Sequence, residues 1–241
     1  MKISVVVPAF NEEKLIAASL ASIRQAMSIF KKRGWDSELI VCDNNSTDRT
    51  AELARAAGAT VVFEPLNQIG RARNKGAEAA TGDWLIFVDA DSHPSPELLS
   101  DVADAIASGK YVYGGSTVKF DVHYLSVRLT VTLWNSISRI WKYAAGSFIF
   151  CETAAFRKIG GFDNALYASE ELDLSKRLWK LARASGRSAV ILHRHPLVTS
   201  GRKVQLYSAR EHFAFLFRTV LAGGRTLKSR EACHTWYDGR R

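Results

Sequence analysis

The stretch Trp84-Leu85-Ile86-Phe87-Val88-Asp89-Ala90-Asp91 decides the fold of this chain. Its unbroken apolar run lies between two groups of turn-forming residues, which is typical of a buried strand in a parallel sheet. Open α/β sheets bind their ligands at the carboxyl ends of such strands. Two carboxylates this close repel each other unless a cation joins them, and they are hard oxygen ligands. We therefore expect a divalent ion and phosphate oxygens at Asp89 and Asp91, although one acid could instead cap a helix beginning near Pro96.

The segments around this strand alternate between strand-like and helical patterns. Strands are predicted at 3–7, 38–42 and 60–63, and an amphipathic helix follows each of them. Together with the strand at 84–88 they predict an α/β fold with a mostly parallel central sheet flanked by helices. No Gly-x-Gly-x-x-Gly follows the first strand and no P-loop motif occurs, so a Rossmann dehydrogenase and a P-loop NTPase are disfavoured.

Polar loops follow the predicted strands, and we expect them to converge at one edge of the sheet. Besides Asp89-Ala90-Asp91, these loops are Pro8-Ala9-Phe10-Asn11-Glu12 and Asp43-Asn44-Asn45-Ser46. Their Asp and Asn side chains could bind the edge of a base. Turns and caps are the alternative, with Ser46 or Thr47 capping the second helix and Asn11 the first. We expect Ser46 or Thr47 to be structural and Asp43 to be functional.

The composition is that of a folded, basic protein. With 241 residues and 47% hydrophobic content, the chain can bury a full core. Its net charge of +9 favours an anionic partner such as a nucleotide or a lipid surface. No nucleic-acid recognition motif occurs, so nucleic acid is not an expected partner. The cysteines, Cys42, Cys151 and Cys233, lie far apart, which argues against a zinc module or a disulfide framework.

The amino terminus and the hydropathy pattern bear on localisation. Met1-Lys2 leads directly into a strand, which leaves no room for a signal peptide, and no run of about 18 apolar residues predicts a spanning helix. We expect a cytoplasmic protein and leave open peripheral contact with the inner membrane surface. A helical stripe containing Leu129, Leu133 and Trp141 could serve such contact, although packing against the core is the commoner reason for a stripe of this kind.

Two further segments in the second half carry candidate site residues. Gly146-Ser147-Phe148-Ile149-Phe150 predicts a strand whose small leading residues let a sugar approach the backbone. Ser169-Glu170-Glu171 predicts a helix start, with Ser169 as its cap and the acids at its positive end.

A third segment follows a predicted strand at 188–192. The loop predicted at 193–203 is rich in groups that bind phosphate or metal. A neutral imidazole of His195 could complete a metal shell, and Arg202 and Lys203 could neutralise a diphosphate when the loop closes.

Four motifs in order resemble the successive signatures of family-2 glycosyltransferases. They are Val5-Val6-Val7-Pro8-Ala9-Phe10-Asn11-Glu12-Glu13, Asp43-Asn44-Asn45-Ser46-Thr47-Asp48-Arg49-Thr50, Asn67-Gln68-Ile69-Gly70-Arg71-Ala72-Arg73-Asn74-Lys75-Gly76 and Asp89-Ala90-Asp91. The resemblance continues through residues 156–163 to Glu170-Glu171-Leu172-Asp173-Leu174. It implies a GT-A fold, a nucleotide-sugar donor and Mn²⁺ or Mg²⁺. UDP-sugar is the favoured donor, because it is the commonest in the family, although GDP- and dTDP-sugars occur on the same scaffold.

The resemblance also implies roles for individual residues. It places the nucleotide against Pro8, Phe10, Asn11, Glu12, Asp43, Arg73, Asp89 and Ala90, and the metal on Asp91 and Asp89. In the family an acid pair, usually Glu-Asp, supplies the base that deprotonates the acceptor. Here the second acid is Glu171, which we expect to be the base, with Glu170 as second choice. Because Glu171 is longer than Asp, its reach to the acceptor is in question.

These features predict a metal-dependent, inverting glycosyltransferase that uses a single displacement. The acceptor could be a glycan, a lipid-linked molecule or a small molecule. The alternative is a catalytically silent module of the same fold that binds nucleotide or polysaccharide. We expect one GT-A domain over residues 1–222, with a nucleotide-binding half (1–115) and an acceptor half (116–222), followed by a basic tail at 223–241.

Overall fold

The computed structural model describes residues 1–122, 125–201, 225–229, 231 and 233. The strands are β1 (Lys2–Ala9), β2 (Asp36–Asp43), β3 (Thr60–Phe63), β4 (Trp84–Val88), β5 (Ser92–His93), β6 (Tyr111–Phe120), β7 (Phe148–Glu152) and β8 (Ser188–Thr199). The helices are α1 (Ile16–Lys32), α2 (Thr50–Ala56), α3 (Ile69–Ala79), α4 (Pro96–Ala107), α5 (Leu125–Trp141), α6 (Thr153–Lys158) and α7 (Glu170–Ala184), with a short 3₁₀ helix at Arg225–Lys228. The strands form a sheet in the order β3-β2-β1-β4-β7-β6-β8-β5.

The first half of the sheet is parallel, as the alternation of strands and helices predicts. Strand β1 pairs with β2 and β4, and β2 pairs with β3, all in parallel. Helices α1 and α4 cover one face, and α3, α6 and α7 cover the other, so β1 and β4 are buried on both sides. This arrangement brings the carboxyl ends of β1, β2 and β4 to one edge of the sheet.

Helix α3 approaches the sheet at a glycine. A Cβ atom on Gly76 would lie 2.3 Å from Cγ1 of Val6 on β1, which is shorter than any ordinary contact. Only a residue without a side chain allows α3 to lie this close to β1. The close packing fixes the position of Arg73, which lies one turn earlier on the same helix.

The second half of the sheet is mixed. Strand β7 pairs antiparallel with β4 and with β6, and β5 pairs antiparallel with β8. Because β7 runs back beside β4, it begins next to the acids that follow β4. The backbone N–H of Asp89 donates to the carbonyl oxygen of Ser147 at 3.2 Å.

Strand β8 is longer than predicted, and the prediction of a loop from residue 193 is wrong for residues 193–199. The strand pairs with β6 on both sides of an irregularity between Ser116 and Val118, and it continues to Thr199. The irregularity contains Pro196, whose missing N–H is compatible with a bulge but not with a regular central ladder. A pattern of apolar residues cannot show that a strand resumes after such a bulge.

Among the described residues, no helix has both the length and the apolar content needed to span a bilayer. The predicted basic tail lies largely outside the described residues. The division of residues 1–222 into a nucleotide-binding half and an acceptor half also stays a prediction.

Candidate active site

Arg73 lies at the centre of a buried ionic cluster at the carboxyl edge of the sheet. Its guanidinium donates to a Glu170 oxygen at 2.7 Å, to Asp89 Oδ1 at 3.0 Å and to the carbonyl oxygen of Gly146 at 2.8 Å. The residue is 1% exposed. Burial by itself would lower the pKa of Arg73, but the carboxylates of Asp89, Glu170 and Glu171 offset burial and raise it. Arg73 therefore joins three segments that are distant in sequence.

Phe162 supports this arginine from one side. The guanidinium carbon of Arg73 lies 5.3 Å from the centre of the Phe162 ring, a cation–π contact. Asn74 fixes the same loop, because it donates to the carbonyl oxygen of Phe162 and accepts from its N–H, each at 2.9 Å. No role is predicted for Asn74 from the sequence, although this residue lies inside the third motif. Its position next to Arg73 in that motif is the sequence signal that could have identified Asn74 as a site residue.

Glu171 lies beside the cluster and is only partly exposed. Burial and the neighbouring Glu170 carboxylate raise the pKa of Glu171 to about 8, although Arg73 acts in the opposite direction. Its carboxyl carbon lies 3.6 Å from the position that a Cβ on Gly146 would occupy. That is an ordinary contact, whereas the same Cβ would lie only 3.3 Å from an Arg73 nitrogen, so the glycine at 146 leaves room for the Arg73 guanidinium at the start of β7.

The helix that carries these acids begins at an unusual residue. Ser169 lies at the N-cap of α7, as predicted, but its φ is 60° and its side chain makes no capping hydrogen bond. Its carbonyl oxygen accepts from the backbone N–H groups of Leu172 and Asp173 instead. Capping by the Ser169 hydroxyl is thus wrong, because the left-handed backbone turns the chain into the helix without it.

The loops after β1 and β2 are tied together by reciprocal hydrogen bonds. The N–H of Asn11 donates to Ser46 Oγ at 3.0 Å, and the N–H of Thr47 donates to Asn11 Oδ1 at 2.8 Å. The capping roles predicted for these three residues are wrong, because α1 begins at Ile16 and α2 at Thr50 without a side-chain cap. The hydrogen bonds instead hold two neighbouring loops in register at the edge of the sheet.

The remaining predicted nucleotide-binding residues lie along this edge. Pro8 pairs with Cys42 across β1 and β2, and Asp43 is the last residue of β2. Asp43 is 7% exposed, and its Oδ1 accepts from the N–H of Ser46 at 3.1 Å. Glu12 is buried, and its N–H donates to Thr50 Oγ1 at 2.7 Å. Phe10 is half-buried in the same loop.

Asp89 and Asp91 lie in the turn after β4, with buried Ala90 between them. Asp89 uses Oδ1 for Arg73, and within the described residues no donor contacts its Oδ2. The Asp91 backbone oxygen accepts from the N–H of Ser200 at 3.1 Å, which brings the end of β8 to this turn. Within the described part of the chain, no group of three or more metal-ligating side chains occurs. Two carboxylates fit a Mn²⁺ or Mg²⁺ ion whose other ligands are water and substrate phosphate.

The metal-binding role of His195 stays a prediction. Its Nδ1 lies 3.0 Å from a carboxylate oxygen of Asp101 on α4. His195 lies in the irregular stretch of β8 between Leu192 and Leu197, which pair with Ser116 and Val118. Arg202 and Lys203 lie outside the described residues, and their contact with diphosphate stays a prediction.

The family model described as "Glycosyl transferase family 2" matches residues 4–159, which include most of β1, Arg73 and the turn after β4. The chain belongs to glycosyltransferase family 2. A relative in this family, the dolichol-phosphate mannosyltransferase of Pyrococcus furiosus, is 30% identical over 130 residues, which are 48% of this chain and 35% of that protein. The chain thus spans about a third of the length of that relative.

Solved structures of glycosyltransferases share this fold. Residues 1–349 of S. aureus TarS, in complex with UDP-GlcNAc, match with a TM-score of 0.65 and 24% identity, over 98% of this chain and 69% of that one. The mannosyltransferase PcManGT from Pyrobaculum calidifontis, in complex with GDP-Man and Mn²⁺, matches with a TM-score of 0.65 and 21% identity, over 96% of this chain and 64% of that one. The predicted GT-A fold is confirmed, with a mixed central sheet.

Proposed function

We propose that this family-2 enzyme transfers a sugar from a nucleoside-diphosphate sugar to an acceptor hydroxyl, with inversion at the anomeric carbon. One observation carries the proposal. Arg73 joins Asp89, Glu170 and Gly146 at the edge of the sheet, and the partly buried Glu171 lies beside them. This arrangement combines a carboxylate for a donor-bound cation, that of Asp89, with a separate carboxyl group for proton transfer.

The donor would lie across the loops after β1, β2 and β4. The two cross-linked loops that contain Asn11 and Asp43 would hold the nucleoside, because their amide and carboxylate groups can pair with a base. TarS binds UDP-GlcNAc and PcManGT binds GDP-Man, so the scaffold accommodates both bases. We favour UDP-sugar on the frequency of that donor in the family.

Asp91 and Asp89 would hold the divalent cation, which supplies positive charge for the diphosphate when it is bound. The partners of Asp89 support this role. Its Oδ1 is fixed by Arg73, and the side chain keeps 22% exposure towards solvent. An oriented carboxylate with an accessible edge suits a hard cation that keeps several waters.

Glu171 would accept the proton of the acceptor. In the single displacement, the acceptor oxygen forms a bond to the anomeric carbon, the bond from that carbon to the diphosphate breaks, and the hydroxyl proton passes to Glu171. A general base works best when its pKa lies near the working pH. The raised pKa of Glu171 makes it a stronger base than an ordinary carboxylate. Glu170 is less suited, because it is committed to Arg73 at 2.7 Å.

The acceptor is proposed only by class. A glycan, a lipid-linked molecule and a small molecule all present a hydroxyl, and the name of one relative, dolichol-phosphate mannosyltransferase, supports keeping a lipid-linked acceptor among them. We place the enzyme in the cytoplasm.

A screen of UDP-, GDP- and dTDP-sugars with Mn²⁺ or Mg²⁺ tests this function, with donor hydrolysis and thermal shift as readouts. A donor at about 100 times its Kd should stabilise the protein by ~2.7 kcal/mol, which raises Tm by about 5–10 °C for a chain of this length. We expect one base to give this shift, together with slow hydrolysis of its sugar. If all donors with either metal give neither shift nor hydrolysis, the proposed function is wrong.

A further inference from the structure

Helix α5 carries an apolar face that is open to solvent. Five large apolar side chains on it are 36–74% exposed. They are Leu129, Leu133, Ile137, Ile140 and Trp141. At 100° per residue these positions occupy an arc of about 120° on one side of the helix. The explanation that this stripe packs on the core is wrong for these five residues.

The opposite side of α5 attaches the helix firmly to the domain. Val127 is 8% exposed and Ser138 is fully buried. The side chain of Asn135 accepts from the N–H of Val118 and donates to its carbonyl oxygen, each at 3.0 Å, as a neighbouring strand would. This anchoring to β6 fixes which residues of α5 face outwards.

A basic cavity adjoins the exposed face. It has a volume of about 760 Å³ and lies between the end of α4, the end of α5 and β8, with Ile140 of the apolar face in its lining. Its lining includes four cations that make no ion pair with any described residue, namely Lys110, Arg139, Lys142 and Arg194. The cavity therefore offers positive charge next to exposed apolar surface.

The acidic groups in the cavity lining do not cancel this charge. Asp104 pairs with Arg33 at 2.7 Å, and Asp101 lies 3.0 Å from His195. Both carboxylates thus have a cationic or titratable partner of their own. What remains is a surface that combines aliphatic side chains, an exposed tryptophan and unpaired cations.

We propose that the α5 face and the adjoining cavity dock this enzyme on an anionic phospholipid membrane. The aliphatic side chains would enter the acyl region, Trp141 would lie at the interface, and the cations of the cavity would bind phosphate headgroups. This combination of an apolar face with flanking cations is what an interfacial helix requires. The surface lies outside the residues assigned to donor and catalysis, and the inference holds for any donor sugar.

Two other occupants fit this surface less well. In a symmetric dimer the unpaired cations of one copy would face those of the other, and like charges at an interface are unfavourable. Residues 202–224 of this chain, which lie outside the described part, carry four cations against one acid, Glu211, and would bring further net positive charge to the cavity. Phospholipid headgroups supply the opposite charge.

Vesicle flotation with the full chain tests the proposal. We expect binding to vesicles of phosphatidylcholine with phosphatidylglycerol, and at least about tenfold weaker binding to phosphatidylcholine alone. The double variant Leu133→Glu/Ile140→Glu should bind anionic vesicles at least about tenfold less, because it places charge in the apolar arc. Arg139→Glu/Arg194→Glu should abolish the preference for anionic lipid. All these side chains are exposed, and circular dichroism would verify the fold of each variant.

Phe63→Glu provides the matched control, since Phe63 is 54% exposed at the end of β3, away from α5. It should bind vesicles like the wild type. Equal binding by wild type and Leu133→Glu/Ile140→Glu would overturn the proposal, as would absence of wild-type binding to both vesicle types. Light scattering tests whether the α5 face instead binds a second copy of the chain. If the wild type is a dimer that does not bind vesicles, and Leu133→Glu/Ile140→Glu is a monomer, the face serves self-association and the proposal is wrong.

Discussion

Replacement of Arg73 by methionine should destabilise the protein more than any change at an exposed ion pair. Methionine keeps much of the aliphatic volume of Arg73 but removes the charge and all three hydrogen bonds. Glu170, whose side chain is 5% exposed, would lose its partner and stay next to Glu171 and Asp89. Removal of one partner from a buried ion pair costs about 3–5 kcal/mol, because the other charge remains desolvated.

We place the expected loss near 3–4 kcal/mol, since Asp89 keeps 22% exposure and can recover part of its hydration. For a chain of this length this lowers Tm by about 6–15 °C. Guanidinium unfolding at pH 7, followed by circular dichroism, measures the free energy directly.

Lys75→Met is the matched control for Arg73→Met. Lys75 lies two residues further along α3 and pairs with Glu78, but both side chains are well exposed, at 43% and 66%. Exposed pairs of this kind contribute about 0.5 kcal/mol or less. If Arg73→Met lost under about 1 kcal/mol, or no more than Lys75→Met, the buried cluster would not hold the three segments together.

Three further predictions concern packing, pH and metal. Gly76→Ala should lose about 1–3 kcal/mol of unfolding free energy through overlap with Val6, although alanine favours helix by ~1 kcal/mol. Glu171→Gln should be more stable than wild type at pH 8–9, by about 1–3 kcal/mol after allowance for partial exposure. The raised pKa of Glu171 is the reason for this direction. Between pH 4.5 and about 8 folded wild-type protein holds a proton on Glu171 that the unfolded chain has lost, so the stability of the wild type falls as pH rises. Asp91→Ala should remove the Mn²⁺-dependent part of the thermal shift caused by UDP.

Each of these predictions has a control and a result that would count against it. Glu78→Ala, on the exposed side of α3, should be neutral, and a neutral Gly76→Ala would show that α3 can move away from β1. Identical pH profiles for wild type and Glu171→Gln between pH 5 and 9 would contradict the raised pKa. Asp104→Ala removes a carboxylate from the surface of α4 and should leave the shift unchanged. A full Mn²⁺ effect in Asp91→Ala would remove Asp91 from the metal site.

The sequence predicts the parallel half of the fold well, because its signals are local. The apolar run at 84–88 and the glycine and proline residues around it define β4. Topology then places Asp43 and Asp89 at one edge, since parallel strands end on the same side. The topology of the strands does not predict that Glu170 and Glu171 lie at this edge. Only the family resemblance associates them with Asp89, and the hydrogen bond from Arg73 to Glu170 spans 97 residues of sequence.

The errors arise where long-range contacts replace local patterns. Ser46 resembles a helix cap in sequence, but it accepts from Asn11, 35 residues earlier, because β1 and β2 are neighbours in the sheet. The loop predicted from residue 193 is a strand up to Thr199, because β8 resumes its pairing after a bulge that an apolar pattern does not reveal. In α5, periodicity predicts the helix and its stripe but not which side the sheet covers. That depends on Asn135 and its contact with Val118.

The central claim is that Glu171 performs proton transfer for a donor held at the edge of the sheet. Its most direct test compares wild type with Glu171→Gln in two assays, sugar transfer or donor hydrolysis and calorimetric binding of UDP with Mn²⁺. The account predicts that kcat falls by about 10²-fold or more, while Kd for UDP changes by less than about threefold, since the base acts on the acceptor. Turnover of Glu171→Gln at the wild-type rate would contradict the claim. UDP binding by a wild type that shows no turnover would favour a silent nucleotide-binding module.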